Sequence, residues 1–185
     1  MAEGIPIEVA SSNIVSLVLT ILGPDRPGLV ERLSVVITDH AGNWVESRMA
    51  HLAGQFAGIL RVELPKDNVE NFGRSCDSLK REGLNCLVAT QEPPGTEPLR
   101  LRILRLELVG HDRPGIVREI SQALVKHGVN VEELSTGIES APMSAEMLFL
   151  AKARLAVPDH LSIEQLRELL EPIGNDLMVD ISLLP

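Results

Sequence analysis

Asp25, Arg26, Pro27 and Gly28 stand together in "GPDRPGLV", and Asp112, Arg113, Pro114 and Gly115 stand together in "GHDRPGIV", 87 residues further on. A carboxylate, a guanidinium and a glycine within four residues supply the parts of a site for a small anion or zwitterion. Asp accepts from an ammonium, Arg pairs with a carboxylate through its planar fork, and a residue without a Cβ lets a ligand or a second backbone come close. Leu29 and Ile116 follow the glycines and open stretches of helical periodicity, so each loop is expected to turn a strand into a helix. The free N–H groups of that helix's first turn carry partial positive charge and suit an anion. A zwitterion would then place its carboxylate on the amides and its ammonium on the aspartate.

A purely structural reading fits the same residues. Asp25 and Asp112 stand three residues before the glycines, a spacing at which a side-chain oxygen can cap a helix. Pro27 and Pro114 suit a first helical turn, where the missing N–H has no partner to lose. Arg26 and Arg113 suit equally a pair across an interface and a clasp on an anion.

The elements around the loops repeat as well. Residues 23–47 align without a gap on residues 110–134, matching Leu33 with Ile120, His40 with His127 and Asn43 with Asn130. Before each loop apolar residues alternate, Val15, Leu17, Leu19 and Ile21 in one copy and Leu104, Leu106 and Leu108 in the other, which reads as a strand with one buried face. After it, Leu29, Val30, Leu33, Val36 and Ile37, and Ile116, Val117, Ile120, Ala123 and Leu124, recur at helical spacing. Gly42 and Gly128 suit helix stops. Two strands, a second helix (clearest in "SIEQLRELLEPI") and a closing strand ("NCLVAT", "LMVDISLL") follow in each copy. The second copy carries six extra residues in the turn around "IESAPMS". The order is strand, helix, strand, strand, helix, strand: an α/β fold of two tandem ferredoxin-like βαββαβ repeats, each an antiparallel sheet covered by two helices. The expected bounds are residues 12–90 and 99–185, joined by a stiff, solvated connector at 91–98, "QEPPGTEP".

Composition narrows the function. The net charge is −9, shared between residues 1–98, with 8 basic and 13 acidic side chains, and residues 99–185, with 9 and 13. Without a basic run, and with three Phe and no Tyr, direct nucleic-acid binding is not expected. No apolar run reaches the ~20 residues that span a bilayer, and the start lacks a basic signal-peptide head, so the expectation is a soluble, cytoplasmic protein. Cys76 and Cys86 lack CxxC spacing and read as reduced, partly buried thiols. His40 and His127 stand at matching helix ends, where a structural role is expected; His111, in place of Pro24, adds a titratable donor to the second loop. No nucleophile with a base, phosphate loop or metal-ligand spacing appears, so neither catalysis nor a cofactor is expected.

The duplicated "DRPG" at a strand-to-helix turn, with "HGVNVEEL" echoed by "HAGNWVES" at the second strand, resembles the ACT domain, a small ligand-sensing module. The resemblance runs from about Ile14 to Leu184, and a chain made of two such modules resembles the glycine cleavage system transcriptional repressors. It implies a regulatory protein that binds an amino acid, glycine among the candidates, at interfaces between modules. Position by position it implies ligand-binding roles for Asp25, Arg26, Gly28, Leu29 and Asn43 in the first module, and for Asp112, Arg113, Gly115, Ile116 and Asn130 in the second. It further implies a homodimer and a regulatory partner protein, which is either a DNA-binding regulator or a metabolic enzyme. Trp44 stands where Val131 stands in the other copy, so the two sites need not bind the same ligand.

Overall fold

A computed structural model describes residues 13–90, 101–140, 146–177 and 179–184. The chain divides into two compact units, residues 1–95 and 96–185. The connector expected at 91–98 lies outside the described residues, as do residues 141–145 of the extra turn.

In the first unit the elements are β1 (Ile14–Pro24), α1 (Leu29–Asp39), β2 (Asn43–Leu52), β3 (Gln55–Pro65), α2 (Val69–Leu79) and β4 (Asn85–Thr90). The second unit repeats them as β5 (Leu101–His111), α3 (Ile116–Lys126), β6 (Asn130–Ser140), β7 (Met147–Pro158), α4 (Ile163–Leu177) and β8 (Val179–Leu184). Each sheet is antiparallel, in the orders β2-β3-β1-β4 and β6-β7-β5-β8. These are the two ferredoxin-like repeats that the alternating and helical periodicities predict.

Leu17, Leu19 and Ile21 point to one side of β1, and Leu60, Val62 and Leu64 of β3 join them under Leu33, Val36 and Ile37 of α1 and Phe72 and Leu79 of α2. The second core repeats this with Leu104, Leu106, Leu108, Leu155 and Val157 under Ile120, Leu124, Leu166 and Leu170. Burial of aliphatic area at roughly 25 cal/mol per Å2 is what holds each sheet to its helices. Val30 and Val117, although at helical spacing, are 47% and 42% exposed, because each sits on the flank that turns away from the sheet.

Local chemistry sets the element ends. Ala53 and Gly54 both take positive φ, 49° and 77°, in the two-residue turn between β2 and β3, the handedness a tight hairpin requires. Ser162 and Gln165 cap each other at the start of α4: the Ser162 N–H donates to Gln165 Oε1 at 2.8 Å and the Gln165 N–H to Ser162 Oγ at 3.1 Å. α1 does not stop on Gly42. Its left-handed residue is Ala41, at φ 56°, whereas Gly128 holds that place after α3 at φ 70°. Gly42 serves a different need, since a Cβ there would stand 2.8 Å from the Ile37 carbonyl oxygen.

His40 fastens α1 to α2. Its Nδ1–H donates to the Val36 carbonyl at 2.8 Å, its Nε2 lies 3.2 Å from Ser75 Oγ, and its ring meets Phe72 edge-on at 5.6 Å. Both ring nitrogens are engaged in holding the fold, in keeping with a structural role.

Candidate functional site

The "DRPG" loops leave β1 and β5 and enter α1 and α3, as the sequence predicts, but the capping differs from the expectation. The N-cap residues are Gly28 and Gly115, left-handed at φ 93° and 103°, and neither helix start has a side-chain cap. Asp25 and Asp112 are therefore not caps, and Pro27 and Pro114 stand before the cap rather than in the first turn. The reason is the sign of φ: a glycine reverses the chain here at little steric cost, which carries the aspartate away from the helix axis. Around Gly28 a Cβ would meet nothing within 4 Å, so the glycine is required by its backbone angle and not by crowding.

Because no side chain caps α1, the N–H groups of Leu29, Val30 and Glu31 have no acceptor among the described residues; the first helical bond is Arg32 N–H to Gly28 O at 2.8 Å. Leu29 and Glu31 border a cleft of about 470 Å3 together with Arg26, Gly28, Arg32, Leu79, Glu82 and Leu84. Arg32 is held to one side by Glu82, with Nε–Oε2 at 2.9 Å and Nη2–Oε1 at 2.8 Å. The guanidinium of Arg26 makes no hydrogen bond or ion pair with any described residue. The cleft thus sets a cation without a hydrogen-bond partner beside an uncapped helix start, an arrangement that attracts a carboxylate or another small anion.

Gly23 seats the loop. A Cβ on it would stand 2.5 Å from the Gly83 carbonyl oxygen, so the α2–β4 connection rides directly on the end of β1. That close approach brings Leu79, Glu82 and Leu84 to the cleft.

Asp25 looks the other way. Its N–H donates to Gly54 O at 2.9 Å and its Oδ2 lies 3.7 Å from His51 Nε2, so it ties the loop to the β2–β3 turn. In the second unit the Asp112 N–H donates to Met147 O at 3.1 Å, and the histidine is on the loop: His111 Nδ1 lies 3.8 Å from Glu146 Oε2.

The two cation positions also differ. Arg113 donates Nη2–H to the Asp176 carbonyl at 3.2 Å, and its Nε has no hydrogen-bond partner among the described residues. Glu119, at the position equivalent to Arg32, brings Oε1 within 3.4 Å of where a Gly115 Cβ would stand. A carboxylate of the chain's own thus stands beside Gly115, whereas no group comes within 4 Å of the same point at Gly28.

Asn43 and Asn130 are not beside the loops of their own units. Asn43 pairs with Glu63, which pairs in turn with Ser16, eight residues up β1 from Pro24, or roughly 26 Å of strand at ~3.3 Å per residue. Asn130, opposite Ala156 and Ile103, is equally far from His111. The helix between loop and asparagine runs back along the sheet, so its two ends necessarily lie at opposite edges. Periodicity did not point to Arg32, Leu79, Glu82, Leu84 or Glu119 as site residues. The one signal available was the charge reversal between Arg32 and Glu119 in otherwise matched helices.

Two antiparallel βαββαβ units, each with a glycine-capped loop at a strand-to-helix turn, define a tandem-repeat protein of the regulatory-domain class. The chain belongs to the ACT-domain family, which residues 16–77 match once and residues 104–175 match again. A UPF0237 protein of Methanopyrus kandleri is 36% identical over 75 residues, covering 40% of this chain and 77% of that protein. A solved structure of an unknown protein from Galdieria sulphuraria is 29% identical, with TM-score 0.78 over 92% of this chain and 98% of that one. The structure of a proposed glycine cleavage system transcriptional repressor is similar at TM-score 0.67 and 19% identity, over 92% of this chain and 96% of that one, a likeness of fold. Among the described residues no helix is long and apolar enough to cross a membrane.

Proposed function

We propose that this chain is a non-catalytic regulatory protein that binds a small amino acid beside the first turn of α1 and passes its bound state to a partner protein. The observation that carries this reading is the Arg26 guanidinium, without a hydrogen-bond partner, on one cleft with Leu29 and Glu31 of the uncapped start of α1. The ligand's α-carboxylate sits on those groups, its ammonium faces the acidic rim at Glu31 and Glu82, and a small amino acid, glycine included, fits within the cleft. Asp25 and Gly28 hold the loop in shape, and Leu29 supplies the apolar floor. Asp112, Arg113, Gly115 and Ile116 form the equivalent site of the second module, weakened by Glu119. Asn43 and Asn130, remote from their own loops, reach a ligand from a second chain in a homodimer.

Signalling then follows from linkage: a ligand that prefers one arrangement of the protein shifts the population toward it by no more than its differential affinity. A chain of net charge −9 acts on transcription through a DNA-binding partner and not by touching DNA itself. The fold it shares with a proposed glycine cleavage system repressor favours that partner over a metabolic enzyme.

A thermal-shift screen of the purified protein against the amino acids at millimolar concentration tests the reading, because binding to the folded state alone must raise Tm. The expected result is a rise for one small amino acid, abolished in Arg26→Ala and kept in Arg113→Ala. No rise for any amino acid, or a rise indifferent to Arg26→Ala, overturns it.

A further inference from the structure

The chain's two cysteines lie in the same module, on elements that pack together. Cys76 lies in the last turn of α2 and is 1% exposed. Cys86 is the second residue of β4, opposite Ile21, and is half-buried against the same core. Both are free thiols, α2 lies on β4, and Cys86 packs against the same core cluster that holds Cys76. The repeat does not account for the pair. In the second module Ile181, opposite Leu108, takes the place of Cys86, and no cysteine occurs in α4. A single buried thiol is adequately explained as a small apolar side chain. Two thiols on packed elements of one core, one sealed and the other half-exposed, have the layout of an oxidisable thiol with its resolving partner.

We infer that Cys86 and Cys76 form a peroxide-sensitive pair, in which the half-exposed Cys86 is oxidised first and the buried Cys76 then closes a disulfide between α2 and β4. The Cys86 sulfur attacks one peroxide oxygen; an S–O bond forms, the O–O bond breaks, and the departing hydroxide takes a proton and leaves as water. Sulfur is oxidised by two electrons and the peroxide is reduced by two, leaving a sulfenic acid. Cys76 attacks that sulfur, giving up its thiol proton as the S–O bond breaks, so that an S–S bond forms and a second water leaves. A dithiol reductant returns both thiols by exchange. The local electrostatics set the same order. The hydrogen bond from Cys76 lowers Cys86 from the usual thiol range, with burial and Asp77 opposing it; that hydrogen bond and burial push Cys76 up.

The disulfide would staple residues 76–86, the segment that carries Leu79, Glu82 and Leu84 to the cleft beside Arg26. Oxidation therefore stiffens one wall of that cleft. This consequence rests on the ligand site proposed above, whereas the disulfide itself does not.

Peroxide treatment of the folded full chain, followed by thiol titration in denaturant, intact mass and peptide mapping, tests the pair directly. The expected result is loss of both thiols together, a mass lower by two hydrogens, a Cys76–Cys86 cross-linked peptide, and full recovery with dithiothreitol. In Cys76→Ser the reaction should stop at a sulfenic acid trapped on Cys86 by dimedone, and in Cys86→Ser the remaining thiol should stay unreacted. Wild-type protein that keeps both thiols, overoxidises Cys86 without cross-linking, or cross-links only between chains overturns the inference. Since the wild-type result decides it, a variant that fails to fold does not. Normal disulfide formation with unchanged amino-acid binding would reject the effect on the cleft alone.

Discussion

Arg32 of α1 holds both carboxylate oxygens of Glu82, 50 residues away, at 2.8 and 2.9 Å, and so anchors the α2–β4 connection to the helix that starts at the candidate site. Those hydrogen bonds hold the Glu82 carboxyl below 4.5, with burial opposing and the charges of Arg32 and Arg26 assisting.

The pH dependence follows with a definite sign. Glu82 has its lower affinity for protons in the folded state, so its contribution to stability is fully present above the unfolded value near 4.5 and lost as pH falls through the folded one. Tm measured against pH for wild type and Glu82→Gln should therefore differ by a constant amount above about pH 5.5 and converge in acid. Because both side chains are exposed, added salt should narrow the gap. A gap that widens in acid would contradict the assigned pair.

Gly23 and Gly28 separate crowding from backbone angle. Gly23→Ala places a Cβ against the Gly83 carbonyl and should cost about 2–3 kcal/mol, since backbone on both sides must shift. Gly28→Ala enters open space at φ 93° and should cost about 1–2 kcal/mol, from the left-handed conformation alone. Urea denaturation of the two variants gives the order, and the larger loss is expected at Gly23.

Ala41 holds a left-handed helix end that its counterpart Gly128 accepts without strain. Ala41→Gly should raise stability by about 0.5 kcal/mol, the relief of strain being partly offset by the greater freedom of glycine in the unfolded chain. Gly128→Ala should lower it. Paired denaturation curves check both signs.

Glu119 and Arg32 stand at one position of the repeat with opposite charge, and only Glu119 stands beside the glycine that starts its helix. Glu119→Ala should uncover the Ile116, Val117 and Arg118 amides and strengthen anion binding by the second module several-fold, read by isothermal titration in an Arg26→Ala background. An unchanged titration would show that Arg113, already engaged with the Asp176 carbonyl, and not Glu119, limits that site.

The repeated fold was legible because its signals are local. Alternation at Leu17, Leu19 and Ile21, helical spacing from Leu29 to Ile37, and the ungapped match of residues 23–47 with 110–134 report directly which faces are buried. The loops as sites of interest were legible as well, from the types of residue in "DRPG". Their interior arrangement was not. Whether Asp25 or Gly28 caps α1 depends on the sign of one backbone angle, and glycine takes either sign. Asn43 lies at the far end of the sheet from Asp25 because α1 must return along the strands it covers, a consequence of chain reversal that spacing in sequence conceals. Arg32 with Glu82, and Cys76 with Cys86, meet only because α2 and β4 fold back onto α1 and β1, and such contacts are made by packing, not by neighbours in the chain. By itself the sequence determined two copies of one scaffold and the loop where its chemistry gathers; tertiary packing decided which charged groups stay free there, and left the space at Gly28 open while Glu119 stands beside Gly115.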